Sequence, residues 1–490
     1  MSNECPEHHL TFWNLGSQQL LVDFEGGRIV SDAGLLSVRA LEKPLGILAD
    51  LAQRLPDPRA PQFIHHSAEA LLTQQVYQIL AGYPDGNDAQ VLRDDPLFQI
   101  LADISPDAEQ PLASGSTLNR FQYAYTRRQQ QLPEEDRPAF HEMYSARTER
   151  LNVLNDFLLD WFIRTRRTPP VQLIIDLDGT DDPVHGRQAL SGYHGYYQQH
   201  QYFPLLAFEG TSGFPLAAWL RPGRAGANWG VVETLDRIVQ RLRAAWPDVL
   251  ILVRGDNGGA GPDLYEYCEA QGLLYAFGYS SNAVLQRRTQ QALTDLELYE
   301  HFYGQREPYL QRFEVFEDYQ AGEWSRPRRI VAKIEINPQG SQRRFVVSNF
   351  SGHPRGIYRG FYVQRGAVPE QPIDELKNGL QADRLSASSF RANGFRLLLH
   401  VVAYAIVVLF REAAAAIPEV ATATVSTLRQ RLWKVGAVVV TSAQRIWLHV
   451  SESWPGQRVW EQVHRAITVF VAQLSEGQQQ AAPVAAGLLR

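Results

Sequence analysis

The sequence predicts an α/β protein: a mixed sheet with flanking helices, interrupted by a β-rich insertion. An all-helical N-terminal region precedes this core and a small C-terminal region follows it. Three observations predict that arrangement. Helical patterns fill the chain before Thr168-Pro-Pro170, which stops them. Beyond it, near-continuous apolar runs at Val171–Leu177, Val249–Val253 and Leu273–Phe277 are separated by helical patterns; strands buried on both faces read this way. The pattern changes again over residues 309–350. There Arg329–Ile336 and Arg343–Asn349 alternate around a Pro-Gln-Gly turn, as an antiparallel hairpin does.

In chain order, a short apolar run (Leu20–Phe24) and a Gly26–Gly27 turn precede a helical pattern through Leu35–Leu55, broken by Asp57, Pro58 and Pro61. His66–Leu80 is amphipathic, and Ser114-Gly-Ser-Thr opens another helix. A polar spacer, Gln129–Arg137, leads to a long helix ending near Arg167. After Val171–Leu177, strands are expected within Tyr193–Phe208 and Pro215–Leu220. Helices follow at Asn228–Trp246, Pro262–Gln271 and Asn282–Tyr299, and helices resume from Pro369 past Glu412. Leu397–Phe410 is the longest apolar stretch; a spanning helix needs ~20 such residues, so it reads as a core helix. The expected regions are 1–168, 169–305, 306–360, 361–420 and 421–490.

With 490 residues, 44% of them hydrophobic, the chain is long enough for two or more domains with real cores. Its two cysteines exclude a disulfide framework and a four-thiolate zinc site, and fit a reducing cytoplasm. The first ten residues carry acids and no basic-then-apolar run, so no secretory signal is expected. The net charge of −6 conceals an asymmetry: residues 1–300 carry −14 and residues 301–490 carry +8. The back third is therefore the part suited to an anionic partner. Only four of the 47 basic residues are lysines, and arginine forms bidentate phosphate contacts.

Two acidic sites end buried strands: Ile174-Ile-Asp-Leu-Asp-Gly-Thr180, and Ile251-Leu-Val-Arg-Gly-Asp256-Asn-Gly-Gly. Positions just past strand ends are where α/β sheets bind ligands, and an Asp there can hold a divalent cation. The Asp176-x-Asp178-Gly-Thr string also resembles the first motif of haloacid-dehalogenase-type phosphatases, in which the first Asp is the nucleophile. Those enzymes run next into a helix and need a later lysine, whereas this chain runs into strands with no lysine between Lys43 and Lys333. Three meandering strands, a helix, and a fourth strand ending in Asp is instead the ribonuclease-H-like order.

A longer series of strings resembles the DDE transposases of the insertion-sequence 4 superfamily, above all the insertion sequence 1380 family. The strings are Asp176-Leu-Asp-Gly-Thr-Asp-Asp-Pro-Val-His-Gly-Arg-Gln188, Gly195-Tyr-Tyr197, Leu220-Arg-Pro-Gly223 and Arg254-Gly-Asp-Asn-Gly258, then Tyr362-Val-Gln-Arg-Gly366 and Ala382-Asp-Arg-Leu-Ser386. The resemblance implies that Asp178 and Asp256 are the first two catalytic acids. It places the third in a Tyr-x-x-Arg-(x)-Glu-(six residues)-Lys signature, matched by Tyr362, Arg365, Glu370 and Lys377 with one extra residue before the Glu. Glu375 is the rival for the third acid. Asp178, Asp256 and Glu370 are expected to hold two Mg²⁺ or Mn²⁺ ions for in-line phosphoryl transfer. Tyr362, Arg365 and Lys377 are expected on DNA phosphates, and Trp324 is a candidate for holding a flipped base. Asp181, Asp182 and His185 read as a solvated loop or an extension of the metal site.

The implied activity is cut-and-paste transposition of a bacterial insertion sequence. A homodimer would bind double-stranded DNA at the terminal inverted repeats, with no membrane partner and no nucleotide cofactor. The alternatives are the phosphatase using Asp176 or Asp178, a DNA-binding relative that does not cut, and a plain metal-dependent nuclease.

Overall fold

A computed structural model describes residues 9–55, 57, 59–124, 140–195, 197–303, 309–367 and 370–486, with the backbone alone at 124, 140–150, 366–367, 370 and 477–486. The chain forms two compact units: residues 1–121 with 409–473, and residues 122–408 with 474–490.

The first unit starts with strands, a departure from the all-helical N-terminal region expected. β1 (Leu10–Leu15) and β2 (Gln18–Val22) form an antiparallel hairpin, and β3 (Arg28–Val30) follows. Helices Leu36–Leu45, Ile47–Arg54 and Ala68–Ala81 come next. Ser67 caps the last of these by accepting from the Ala70 N–H, and Gly82 closes it in the left-handed conformation (φ 92°) that glycine adopts without strain.

The second unit is built on one large sheet. The 26-residue helix Phe140–Thr165 precedes β4 (Gln172–Gly179). Three short strands, β5 (Asp182–Pro183), β6 (Gly192–His194) and β7 (Gln199–Tyr202), make a small sheet in the order β5-β7-β6. β8 (Leu205–Glu209) and β9 (Pro215–Trp219) complete a meander with β4. Helix Val231–Ala245 buries Val231, Leu235, Ile238, Val239 and Leu242 at helical spacing. Each of these side chains contributes about 2 kcal/mol of burial before entropy is subtracted. β10 (Leu250–Gly255), helix Pro262–Ala270 and β11 (Leu274–Tyr279) follow, both strands parallel to β4. Strands β9-β8-β4-β10-β11 thus have the ribonuclease-H-like order expected from the sequence.

The β-rich stretch is β12 (Leu310–Tyr319), β13 (Arg328–Asn337) and β14 (Gly340–Ser348). It does not stand apart from the core. β14 pairs antiparallel with β11, so among the described residues eight strands run β12-β13-β14-β11-β10-β4-β8-β9. Val331, Val346 and Ala276 share a buried cluster across that junction, with Phe313 and Tyr362 packed against it.

Helix Phe390–Ala413 is long and apolar enough to cross a membrane by length and composition, but its most apolar window is 94% buried within the protein. It is the core helix expected at Leu397–Phe410. β15 (Ala437–Thr441) then returns to β3, and β16 (Ile446–Val450) adds to its other side. A final helix, Gln457–Ala486, ends the described chain. The two ends of the chain are joined firmly. The Ala33 N–H donates to the Val435 carbonyl at 3.0 Å, Lys434 pairs with Asp32, and Arg429 donates to the Leu80 carbonyl.

Candidate active site

Asp176 and Asp178 lie two residues apart on β4 and therefore on one face of the sheet. Their environments differ. Asp176 is fully buried and receives two hydrogen bonds of 2.6 Å from Arg254, its direct neighbour on β10. Arg254 also donates to the Phe361 carbonyl and lies over the Phe361 ring. Burial pushes the Asp176 carboxyl upward, against the pull of Arg254. A carboxylate held bidentately and sealed from solvent cannot serve as a nucleophile toward an external ester. The phosphatase reading through Asp176 therefore fails. The sequence did carry a signal for this pair: one acid and one base interrupt two adjacent apolar strands, and charges so placed must find each other.

Asp178 sits at the end of β4 and accepts a 3.0 Å hydrogen bond from Arg365. Asp256 follows the last residue of β10, and its Oδ1 accepts from the Gly258 and Gly259 N–H groups at 3.0 and 3.1 Å. These bonds fix its carboxylate in a tight turn. Burial opposes the charge on Arg365, but Asp178, followed by Tyr362 and then Asp256, outweighs it, holding the guanidinium above its ordinary pKa. Both carboxylates thus act on one cation. Tyr362 lies beneath the Arg365 guanidinium, and burial, reinforced by Asp256, raises its phenol. The backbone leaves room for that phenol at Gly278, where a Cβ would stand 2.7 Å from the Tyr362 oxygen and 2.8 Å from the Asn257 nitrogen.

Lys377 donates to Asp181 at 2.6 Å, and Gln199 holds the other oxygen of Asp181 at 3.1 Å. Asp182 is buried with neither oxygen hydrogen-bonded among the described residues, and burial, followed by the charge of Asp383, pushes its carboxyl well up. The solvated-loop expectation for 181–182 is thus corrected: one carboxylate is paired and the other is sealed in.

Glu370 opens helix Glu370–Asp374, so Pro372 sits in the first turn, where its missing N–H costs nothing. The Glu370 side chain lies outside the described residues. Glu375 is described and buried, and it begins a wider π-helical turn, Glu375–Gly379. A π turn holds more residues than an α turn, so the seven-residue spacing from Glu370 to Lys377 does not preserve one α-helical face. Pro372 lies near Gly213 in the β8–β9 turn and Lys377 at Asp181, which leaves Glu375 on the stretch between.

Trp324 is placed differently. It is 5% exposed, with ring centroids 5.3–5.5 Å from Tyr265, Tyr279 and Tyr319, and Arg328 lies over it. It packs as core beside β11 and β12, and stacking a base on it would require that cage to open. Sequence reasoning missed the partners of the signature cations altogether, because nothing local ties Arg365 to Asp178 or Lys377 to Asp181.

Among the described residues no three His, Cys, Asp or Glu side chains are grouped as a metal site. The donors that are described, Asp178 and Asp256, are hard oxygen ligands at the ends of adjacent parallel strands, which suits a divalent cation. No curated protein matches the chain. A solved piggyBac transposase synaptic complex with hairpin DNA is similar at a TM-score of 0.44 and 10% identity, over 82% of this chain and 80% of that one. Residues 12–471 match the family model described as transposase DDE domain group 1. That match takes in both strand-end acids and the Tyr362–Lys377 segment, and the chain belongs to the transposase DDE domain group 1 family, whose members are metal-dependent enzymes of DNA cleavage and transfer.

Proposed function

We propose that the protein is a cut-and-paste transposase of a bacterial insertion sequence, of the insertion sequence 1380 type, acting in the cytoplasm. It binds the terminal inverted repeats as a homodimer, cleaves the DNA ends and joins them to target DNA. The observation that carries this reading is that Asp178 and Asp256 lie at the ends of adjacent parallel strands, with Arg365 donating a hydrogen bond to Asp178. Asp178, Asp256 and Glu370 would hold two Mg²⁺ or Mn²⁺ ions, which activate the attacking oxygen and steady the leaving one. Arg365 and Lys377 exchange their carboxylate partners for DNA phosphates, and Tyr362 supports Arg365 from below. Glu375 is the second candidate for the third acid, because its position between Pro372 and Lys377 brings it along the same segment. Trp324 keeps a packing role.

The test is a cleavage assay on labelled DNA carrying the element's own end, with Mg²⁺ or Mn²⁺. Asp178→Ala and Asp256→Ala should each lose cutting by at least roughly 10³-fold while retaining end binding. Glu370→Ala and Glu375→Ala run beside them, and whichever is inactive with a normal melting curve identifies the third acid. End binding without cutting by the wild type would leave a DNA-binding relative. Cutting of DNA lacking the element's end, with no joining, would leave a plain nuclease.

A further inference from the structure

The first unit carries two exposed apolar surfaces that do not cover one another. The first is the β1–β2 hairpin. Every residue of both strands is exposed, on both faces. Leu10, Phe12, Trp13, Leu15 and Leu21 project from it, and Phe24, just beyond, is 86% exposed. A lone two-stranded hairpin is marginal in water, and an uncovered apolar one is a template for pairing.

The second surface is one face of the β16-β15-β3 sheet. Ala437, Val439 and Val30 point to the buried side. Cross-strand pairing puts Ile29, Val438 and His449 in one row on the opposite face, with Val440 and Trp447 in the next. Ile29 is 63% exposed and Trp447 49% exposed. Among the described residues β16 is also an edge strand, with β15 on one side alone.

Charge decides what can cover them. Residues 1–27 contain four acids and no Lys or Arg. DNA is excluded as the occupant of the hairpin, because phosphates would be repelled and no cation is there to release counterions. The sheet face carries the complement: Arg445 lies over the Trp447 ring, and Trp447 stacks on His449. In a reciprocal exchange each copy contributes one face of the hairpin together with the Ile29–Trp447 face, on the order of 800–1,000 Å² of exposed side chain and close to the ~800 Å² each partner contributes to a stable interface.

We propose that the occupant is a second copy of this chain, and that the β1–β2 hairpin is an exchanged arm. The arm of each copy lies on the β16-β15-β3 face of the other, with Asp23 and Glu25 toward Arg445. Such an exchange is reciprocal and closes as a two-fold dimer, since each copy has one arm and one receiving face. Edge pairing along β16 and apolar burial of Trp13 and Phe12 against Trp447 supply the attraction. The dimer forms without DNA, so the proposal stands or falls separately from the transposition reading.

The experiment is sedimentation velocity on the full chain without DNA, from about 1 to 50 μM. Wild type is compared with the double variant Phe12→Asp/Trp13→Asp and with Trp447→Asp. The wild type should be dimeric, and each variant should dissociate at least tenfold more readily with an unchanged melting curve, since all three residues are exposed. In a Cys5→Ser background, Trp13→Cys chains mixed with Trp447→Cys chains should cross-link between copies through a short bismaleimide. A monomeric wild type over the whole range would overturn the proposal. So would a dimer indifferent to both variants, or a monomer that instead binds neutral phosphatidylcholine vesicles through the hairpin.

Discussion

At the scale of single residues, the paired and unpaired buried carboxylates behave oppositely. Asp176 with Arg254 is a sealed ion pair, and removing one partner strands the other charge. Arg254→Met or Asp176→Leu alone should cost about 3–5 kcal/mol, read by chemical denaturation, while the double substitution should recover most of it. Asp182 is the reverse case. Its folded pKa is raised by burial, so its contribution is present below the ordinary carboxylate range and is lost as pH rises through the folded value. Asp182→Asn should therefore raise the melting temperature at pH 8 and change it little near pH 4. A difference that shrinks with rising pH would refute the assignment. His400 works on the acid side. Burial lowers its pKa to about 4, so stability falls as pH drops from 6.5 toward 4, by up to roughly 3 kcal/mol. His400→Gln should flatten that slope in melts between pH 7 and 4.

At the scale of elements, what could be read from the sequence follows burial. β4, β10 and β11 are legible as apolar runs because helices and neighbouring strands cover them on both faces. β13 and β14 are legible from alternation around a turn. β12 passed unmarked, because its charged and aromatic residues suit a half-covered edge rather than a core. β1 and β2 passed unmarked for a sharper reason: with neither face buried, no inside–outside pattern is imposed on them. In the candidate site, Asp178 and Asp256 were legible as acids at strand ends. The contacts of Arg365, Lys377 and Trp324 were not, since they depend on packing between segments far apart in sequence. The close approach of β11 to the Tyr362 segment gives an element-scale prediction. Gly278→Ala, read by denaturation and by cleavage, should cost about 1–3 kcal/mol and displace Tyr362, with cutting falling more than end binding.

At the scale of the whole molecule, the first unit depends on both ends of the chain. Gly34 shows how closely they meet: a Cβ there would lie 1.8 Å from the Leu432 carbonyl oxygen, and Trp433 beside it is fully buried. A chain stopped after residue 408 should leave residues 10–121 open to limited proteolysis. This arrangement also sets a schedule for biosynthesis. β3 is made near residue 30, yet the strand it pairs with does not leave the ribosome until roughly 400 residues later, some 20–80 s at ordinary elongation rates. Throughout that interval β3 has no finished sheet to join, so this unit matures late and its first segment is exposed to chaperones while translation continues.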